Sequence, residues 1–322
     1  MSELAVAVFA AETGSHHVER PRSARFAAFV RRFDQQAYAA RLDERGLRFL
    51  GRSDPAFPPQ LRAIHDPPVG LFLRGETDAE LLARPCAAIV GARACSPYGG
   101  QVARALGREL AAAGLVVASG LARGIDGAAH RGALEADGLT VAVLGCGIDR
   151  DYPASHRDLA RSIVERGLIV SEYAPGVEPA PWRFPARNRI IAGLAAATVV
   201  VEARERSGAL ITADLALEEG RDVLAVPGEI TSSLSKGTNA MLRSGATPLT
   251  AAGDVLELFG LESEAAAQDA PEARSILAHL PATADELARR TQLEPGPLAA
   301  ALAELELAGL VVEGEGTYRA AQ

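Results

Sequence analysis

Between residues 86 and 227 six short apolar runs follow one another, CAAIV, LVVAS, TVAVL, LIVS, ATVVVE and DVLAV. They stop at Gly91, Gly120, Gly145, Glu172, Ala203 and Pro227 in turn, all but Ala203 turn-forming or polar. Runs of four to six apolar residues without alternation suit strands buried on both faces. The intervening stretches have a helical period, as in YGGQVARALGRELAAAG and SHRDLARSIVERG. The second of these predicts a helix with Ser155 as its N-cap and Gly167 at its end. Strand and helix in strict alternation predict an α/β protein, a doubly wound and mostly parallel sheet of Rossmann-like type. An aromatic content of only 5% within a chain that is 48% hydrophobic agrees with buried parallel strands better than with a β-sandwich.

In such sheets ligands bind beyond the carboxyl ends of the strands, and the unusual residues of this chain concentrate there. The loops are GARACSPYGG, GLARGIDGAAH, GCGIDRDYP, EARERSGALIT and PGEITSSLSKGTN, whereas the opposite rim has plain connections such as AAAG and EADG. None of these loops has the G-x-G-x-x-G spacing, so an ordinary dinucleotide site is not expected. The segment FPARNRIIAGL places Phe184, Arg187, Asn188 and Arg189 together. Guanidinium groups match phosphate oxygens, and an aromatic ring offers a stacking face for a base. With Arg93 and Arg123 on earlier loops and Lys236, the single lysine of the chain, on a later one, the rim predicts a basic groove for a single strand. The alternative is that Phe184 anchors the core and the arginines pair with Asp149, Asp151 or Glu172.

Other polar residues have plainer expected roles. Asp214 is expected to cap a helix, with Ser207, Gly208 and Thr212 near its start. His130 stands four residues after Asp126, but with no nucleophile in an elbow motif a hydrogen bond in the core or on a helix surface is expected of it rather than catalysis. Cys86, Cys95 and Cys146 have neither pairing nor ligand spacing, which argues against a disulfide framework or a zinc site and fits a reducing cytoplasm. No metal or cofactor is expected. No basic-headed signal segment and no apolar stretch of membrane-spanning length is evident, so no membrane association is expected.

The motifs GARACSPYG, SGLARGIDGAAH, VLGCGIDRDYP, SEYAPG, FPARNRIIAGL, ERSGALITADLALEEGRDVLAVPG and SKGTNAMLRSGA resemble, in order and wording, those of the DprA/Smf family of DNA-processing proteins. The resemblance covers about residues 50–260. It implies an extended Rossmann-like domain that binds single-stranded DNA, forms a homodimer, protects incoming strands during natural transformation and helps load the RecA recombinase, without being an enzyme. By motif it carries Arg93, Ser119, Gly120, Phe184, Arg187, Asn188 and Lys236 into the DNA pocket. Arg123, Arg189 and Asn239, the last from SKGTN, complete the candidate set. Where relatives have basic residues before the Phe-Pro pair, this chain has VEPAPWR, with Trp182 and Arg183 as substitutes. The alternative class is a nucleotide-cleaving phosphoribohydrolase of the lysine-decarboxylase-like group, whose PGGxGTxxE loop is here RSGALITAD.

The expected organisation is a short helical segment at 1–46, the Rossmann-like domain at 47–260, an acidic linker at 261–271 and a winged helix at 272–322. The proline-rich stretch SDPAFPPQLRAIHDPPVGLFLRGE is expected to run over the core surface. The net charge of −8 confines any polyanion site to a local patch. In the tail four arginines oppose eight acidic residues, a net of −4, and PGPLAAALAELELAGL has no side chain suited to a phosphate or a base edge. A protein-contact or regulatory role, without duplex binding, is therefore expected of it.

Overall fold

The structure is a computed structural model, and it describes residues 2–14, 23–261, 275–307, 310–314 and 316–320. The expected acidic linker lies outside the described residues from residue 262 onward. The chain divides into two compact units, Met1–Phe259 and Gly260–Gln322.

The first unit opens with α1 (Glu3–Thr13), α2 (Ala24–Arg32) and α3 (Gln35–Asp43). Ser2, Ser23 and Asp34 cap them by accepting hydrogen bonds from the backbone N–H groups of Ala5, Phe26 and Ala37. Strand β1 (Leu47–Gly51), the single-turn α4 (Pro59–Arg62) and β2 (Gly70–Arg74) follow. The alternating section then runs β3 (Cys86–Val90), α5 (Pro97–Ala112), β4 (Val116–Ser119), α6 (Ile125–Glu135), β5 (Thr140–Leu144), α7 (Arg157–Arg166) and β6 (Leu168–Ser171). It continues through α8 (Arg183–Leu194), β7 (Ala197–Val200), α9 (Gly208–Glu218), β8 (Asp222–Ala225), α10 (Lys236–Arg243), β9 (Thr247–Pro248) and α11 (Gly253–Leu256).

The nine strands form one sheet in the order β1-β2-β6-β5-β4-β3-β7-β8-β9. From β6 to β9 every neighbouring pair is parallel, and β1 and β2 add an antiparallel edge. The chain winds outward from β3 to β6, then returns through α8 to place β7 on the other side of β3. Neighbouring strands whose connections leave in opposite directions open a crevice at their carboxyl ends.

Strand residues alternate between the two faces although nearly all are buried. Ala88 and Val90 of β3 pack with Ile190 and Ile191 of α8 and Ala213 of α9. Ala87 and Ile89 pack with Leu106 and Leu110 of α5 and Ala129 of α6. Fully burying each larger aliphatic contributes about 1.5–3 kcal/mol. Helices α5 and α6 touch backbone to backbone, and a side chain at Gly107 or Gly132 would collide with the carbonyls of Ala129 or Arg104.

The proline-rich stretch differs from expectation. Its GLFLR segment is β2, hydrogen-bonded between β1 and β6, and Phe57, Leu61, Leu71, Phe72 and Leu73 are at most 1% exposed. The prolines fall outside the strand, where the ladder does not need their missing N–H groups. The N-terminal helices share a core with the sheet: Leu4, Phe9, Phe26, Phe29 and Leu42 cluster with Phe72, Leu144 and Ile169.

In the second unit Thr283 and Glu286 form a capping box at the start of α12 (Ala284–Thr291), which is followed by α13 (Pro295–Leu307). Strands β10 (Ala282–Thr283), β11 (Val311–Gly314) and β12 (Thr317–Ala320) pair in the order β10-β12-β11. Ile276, Leu287, Leu298, Leu302, Leu305 and Val311 make a separate small core. This is the helix-helix-hairpin order of a winged helix.

Candidate nucleic-acid interface

A crevice of about 570 Å³ opens where β3 and β7 part. The loop after β3, the loop after β7 and the first turns of α8 line it. A neighbouring pocket of about 250 Å³ lies between the β4–α6 loop and residues 152–155, and Arg93, Phe184 and Arg187 line both. Arg93, Arg187, Arg204 and Arg206 face the crevice against one carboxylate, Asp126. The pocket has Arg93, Arg123 and Arg187 and no acidic residue in its lining.

Arg187 is the floor. It is 4% exposed, its Nη1 donates to the Gly120 carbonyl at 2.9 Å, and its Nε donates to Asn188 Oδ1 at 3.3 Å. Asp126, at the first turn of α6, accepts hydrogen bonds from the N–H groups of Gly120 (3.1 Å) and Ala122 (3.3 Å). Glycine is required at 120, since a Cβ would stand 2.5 Å from Arg187 Nη2 and 2.8 Å from Asp126 Oδ2. Burial lowers the Arg187 guanidinium to about 10, with Asp126 opposing the shift. Burial likewise raises the Asp126 carboxyl, against the pull of Arg187 and the two backbone donors.

The tripeptide Arg187-Asn188-Arg189 separates in three directions, as helix geometry requires of successive residues. Asn188 Nδ2 donates to the Gly208 carbonyl at 3.1 Å and ties α8 to the start of α9. Arg189 leaves the crevice, donating to Glu172 Oε1 at 2.7 Å, to the Asp66 carboxylate and carbonyl at 2.9 Å, and to the Ala186 carbonyl at 3.1 Å. Two other candidates, Ser119 and Asn239, also hold the scaffold, and Lys236 stands apart from both cavities. Ser119 Oγ donates to the Ile89 carbonyl at 2.6 Å and joins β4 to β3. Asn239 exchanges two hydrogen bonds with the Gly228 backbone, at 2.9 and 3.2 Å. Lys236 is exposed at the first residue of α10 and lines neither cavity. Its neighbour Gly237 packs against the loop after β7, since a Cβ there would be 2.7 Å from the Ala203 carbonyl and 2.8 Å from that of Arg204.

The aromatic wall is a pair. Phe184 stacks on Tyr152 with centroids 5.5 Å apart and planes at 27°, and the Arg93 guanidinium lies 5.1 Å from the Phe184 centroid. Tyr152 is 40% exposed. Trp182 belongs to another cluster, with Arg183 4.7 Å from its ring and Tyr173 edge-on at 6.4 Å.

Four site residues went unselected from sequence. Arg204 and Arg206 lie in EARERSG directly after β7, and that position was their signal. Tyr152 follows β5 in the same way. Glu202, 5% exposed, accepts from the Ser96 N–H at 2.9 Å and from its hydroxyl, holding the Arg93 loop to the Arg204 loop. Two capping expectations fail. Helix α9 is capped by Ser207, which leaves Asp214 exposed in the second turn, and α7 begins at Arg157, so Ser155 falls in the pocket wall instead. His130 does not meet Asp126. It is fully buried with Nδ1 2.7 Å from Thr140 Oγ1, and burial pushes its pKa down to about 3.

Residues 48–260 match the family described as DNA recombination-mediator protein A, and residues 262–317 match the DprA winged helix domain. The chain belongs to the DprA/Smf family. The DNA processing protein DprA of Streptococcus pneumoniae is 47% identical over 210 residues, 64% of this chain and 72% of that protein. Protein Smf of Escherichia coli K12 is 39% identical over 279 residues, 81% of this chain and 74% of that one. The X-ray structure of the S. pneumoniae DprA aligns with a TM-score of 0.67 and 38% identity, covering 79% of this chain and 92% of that chain. A DprA from Helicobacter pylori, described for its single-stranded DNA binding mode, aligns with a TM-score of 0.58 and 32% identity over 63% of this chain and 92% of that chain. Among the described residues no helix is long and apolar enough to cross a membrane.

Proposed function

We propose that this DprA family member binds single-stranded DNA along the β3/β7 crevice, as a carrier rather than a catalyst. The observation that carries this is the pairing of four arginines against one carboxylate with a stacked Tyr152–Phe184 wall. Arg93, Arg204 and Arg206 engage phosphates of a sugar-phosphate chain, and Arg187 sets the positive floor beneath it. A base stacks on the aromatic pair, with Arg93 moving from the Phe184 ring to a phosphate. In a duplex the bases are paired and stacked on one another, so this wall favours a single strand. The DprA of H. pylori, described as binding single-stranded DNA, is the structural relative that supports the assignment.

Transfer of the strand to a RecA recombinase, protection of DNA during transformation, homodimer formation and a cytoplasmic location are part of the same proposal, and their support is family membership. The winged helix is assigned to protein contact, because α13 has no basic residue. The test is a fluorescence anisotropy titration of one labelled sequence as single strand and as duplex, beside a nucleoside monophosphate cleavage assay. The single strand should bind at least tenfold more tightly, and Phe184→Ala should lose about 1–3 kcal/mol of that affinity. Equal or tighter duplex binding would sink both the crevice assignment and the role given to the winged helix. Nucleotide cleavage would instead favour the phosphoribohydrolase class.

A further inference from the structure

Basic surface continues beyond the pocket wall. The wall includes Arg123, Ala154 and Ser155, and the chain passes from there into His156. The His156 ring lies over Gly127, where a Cβ would stand 2.5 Å from His156 Cε1 and 3.2 Å from Arg131 Nη1. Arg157 comes next, as the first residue of α7. Arg123, Arg131 and Arg157 are all exposed.

These three cations are poorly neutralised. Among the described residues neither Arg123 nor Arg131 has a carboxylate in salt-bridge contact. Arg157 reaches only Asp151, at 3.6 Å, and that carboxylate is shared with Arg74 at 2.9 Å. His156 places Nδ1 3.1 Å from the Leu121 carbonyl, and burial lowers its pKa, with Arg131 and Arg123 adding to the shift. At neutral pH the charge of the ridge therefore belongs to the arginines.

We propose that Arg123, Arg131 and Arg157 form an outer track for the phosphodiester backbone of a single strand leaving the crevice. The proposal rests on the crevice being the single-strand site. Guanidinium groups uncovered by acids suit diester oxygens in series, and the one ring of the ridge, His156, is buried and leaves no open face for a base. The track therefore holds phosphates alone and contributes affinity that grows with strand length and ignores sequence.

The test uses the full chain and two labelled homopolymers, one of about six nucleotides that the crevice accommodates and one of about thirty that can reach the ridge. Arg131→Ala/Arg157→Ala is compared with Arg84→Ala/Arg243→Ala, which removes the same net charge at exposed positions on the opposite rim of the sheet, just before β3 and at the end of α10. The ridge variant should lose about three- to tenfold in affinity for the long strand and shallow its salt slope by about 1.4, two phosphates at roughly 0.7 each. Its affinity for the short strand should stay within about twofold, and the control pair should change neither. Unchanged affinity and slope on the long strand overturns the track and leaves an acidic protein surface as the occupant of the ridge. An equal loss in the control, or on the short strand, reduces the effect to net charge and also overturns it. Failure of the wild-type protein to bind either oligonucleotide would refute the crevice assignment itself, a result distinct from all of these.

Discussion

Arg187 and Arg189 stand two residues apart on α8, and Arg204 and Arg206 stand two residues apart in the loop after β7. On paper the first pair is the more suggestive, set in a motif beside an aromatic ring and an asparagine. In the folded chain Arg187 is enclosed beneath the crevice and Arg189 is engaged by Glu172 and Asp66, whereas Arg204 and Arg206 are exposed on the crevice wall. A helix buries one side, and an arginine there needs partners inside the protein. A loop at the end of a parallel strand leaves its arginines to the solvent and to whatever ligand replaces it. On the proposed function the first pair builds the site and the second pair meets the ligand.

Four arginine variants can break this contrast, and a fifth variant, at His130, tests the core beside it. Arg187→Ala leaves Asp126 and the Gly120 carbonyl buried without their cation and should destabilise the fold by roughly 3–5 kcal/mol in urea denaturation. Arg187→Lys should rescue little, because a lysine lacks the planar fork that serves Gly120 and Asn188 together. A fully stable Arg187→Ala protein that had lost only DNA binding would reverse the roles assigned to the two pairs. Arg189→Ala, at a half-buried pair with Glu172, should cost about 1.5–3 kcal/mol of stability. Its affinity for DNA, measured on the folded fraction, should be nearly unaltered.

Arg204→Ala/Arg206→Ala should do the opposite. About tenfold in single-strand affinity should go, roughly 1.4 kcal/mol, with a salt slope shallower by about 1.4 and stability within about 0.5 kcal/mol of wild type. The smallest effect near neutrality concerns His130. Its folded pKa of about 3 lies below the ordinary 6.5, first through burial and then through His156, Arg131 and Arg187. The unfolded chain therefore takes up the proton more readily, and stability falls as pH drops from 6.5 toward 3, by at most about 1.4 kcal/mol per pH unit. His130→Gln should flatten that part of the stability profile, and an unchanged slope would assign it to other groups.

The alternation of strands and helices was legible from the periodicity, because a strand buried on both faces needs an unbroken apolar run. GLFLR escaped the same rule: its prolines, outside the strand, made the whole stretch look like a surface connection. For the site, the rim was identifiable from where glycines and charges collect, and Arg93, Gly120, Arg123, Phe184, Arg187 and Asn188 do line the two cavities. Which face of α8 each arginine takes depends on partners far away in the chain, Gly120 for one and Asp66 for the other, and local spacing does not encode them. Tyr152 and Glu202 were overlooked for a similar reason, since each matters through a residue, Phe184 or Ser96, brought near only by the sheet.

Helix α8 is the crossover that carries the chain from β6 back to β7, and it also bears Arg187, bonded to the loop after β4, and Asn188, bonded to the start of α9. The two halves of the sheet are thus fastened together at the ligand site. Occupancy of the crevice should be felt as a global event, with slowed amide exchange in β4 and β8 alike and a melting temperature that climbs with strand concentration by mass action. On the proposed function cargo and scaffold share one cooperative unit, so a strand held in the crevice would also act as a clamp on the folded state.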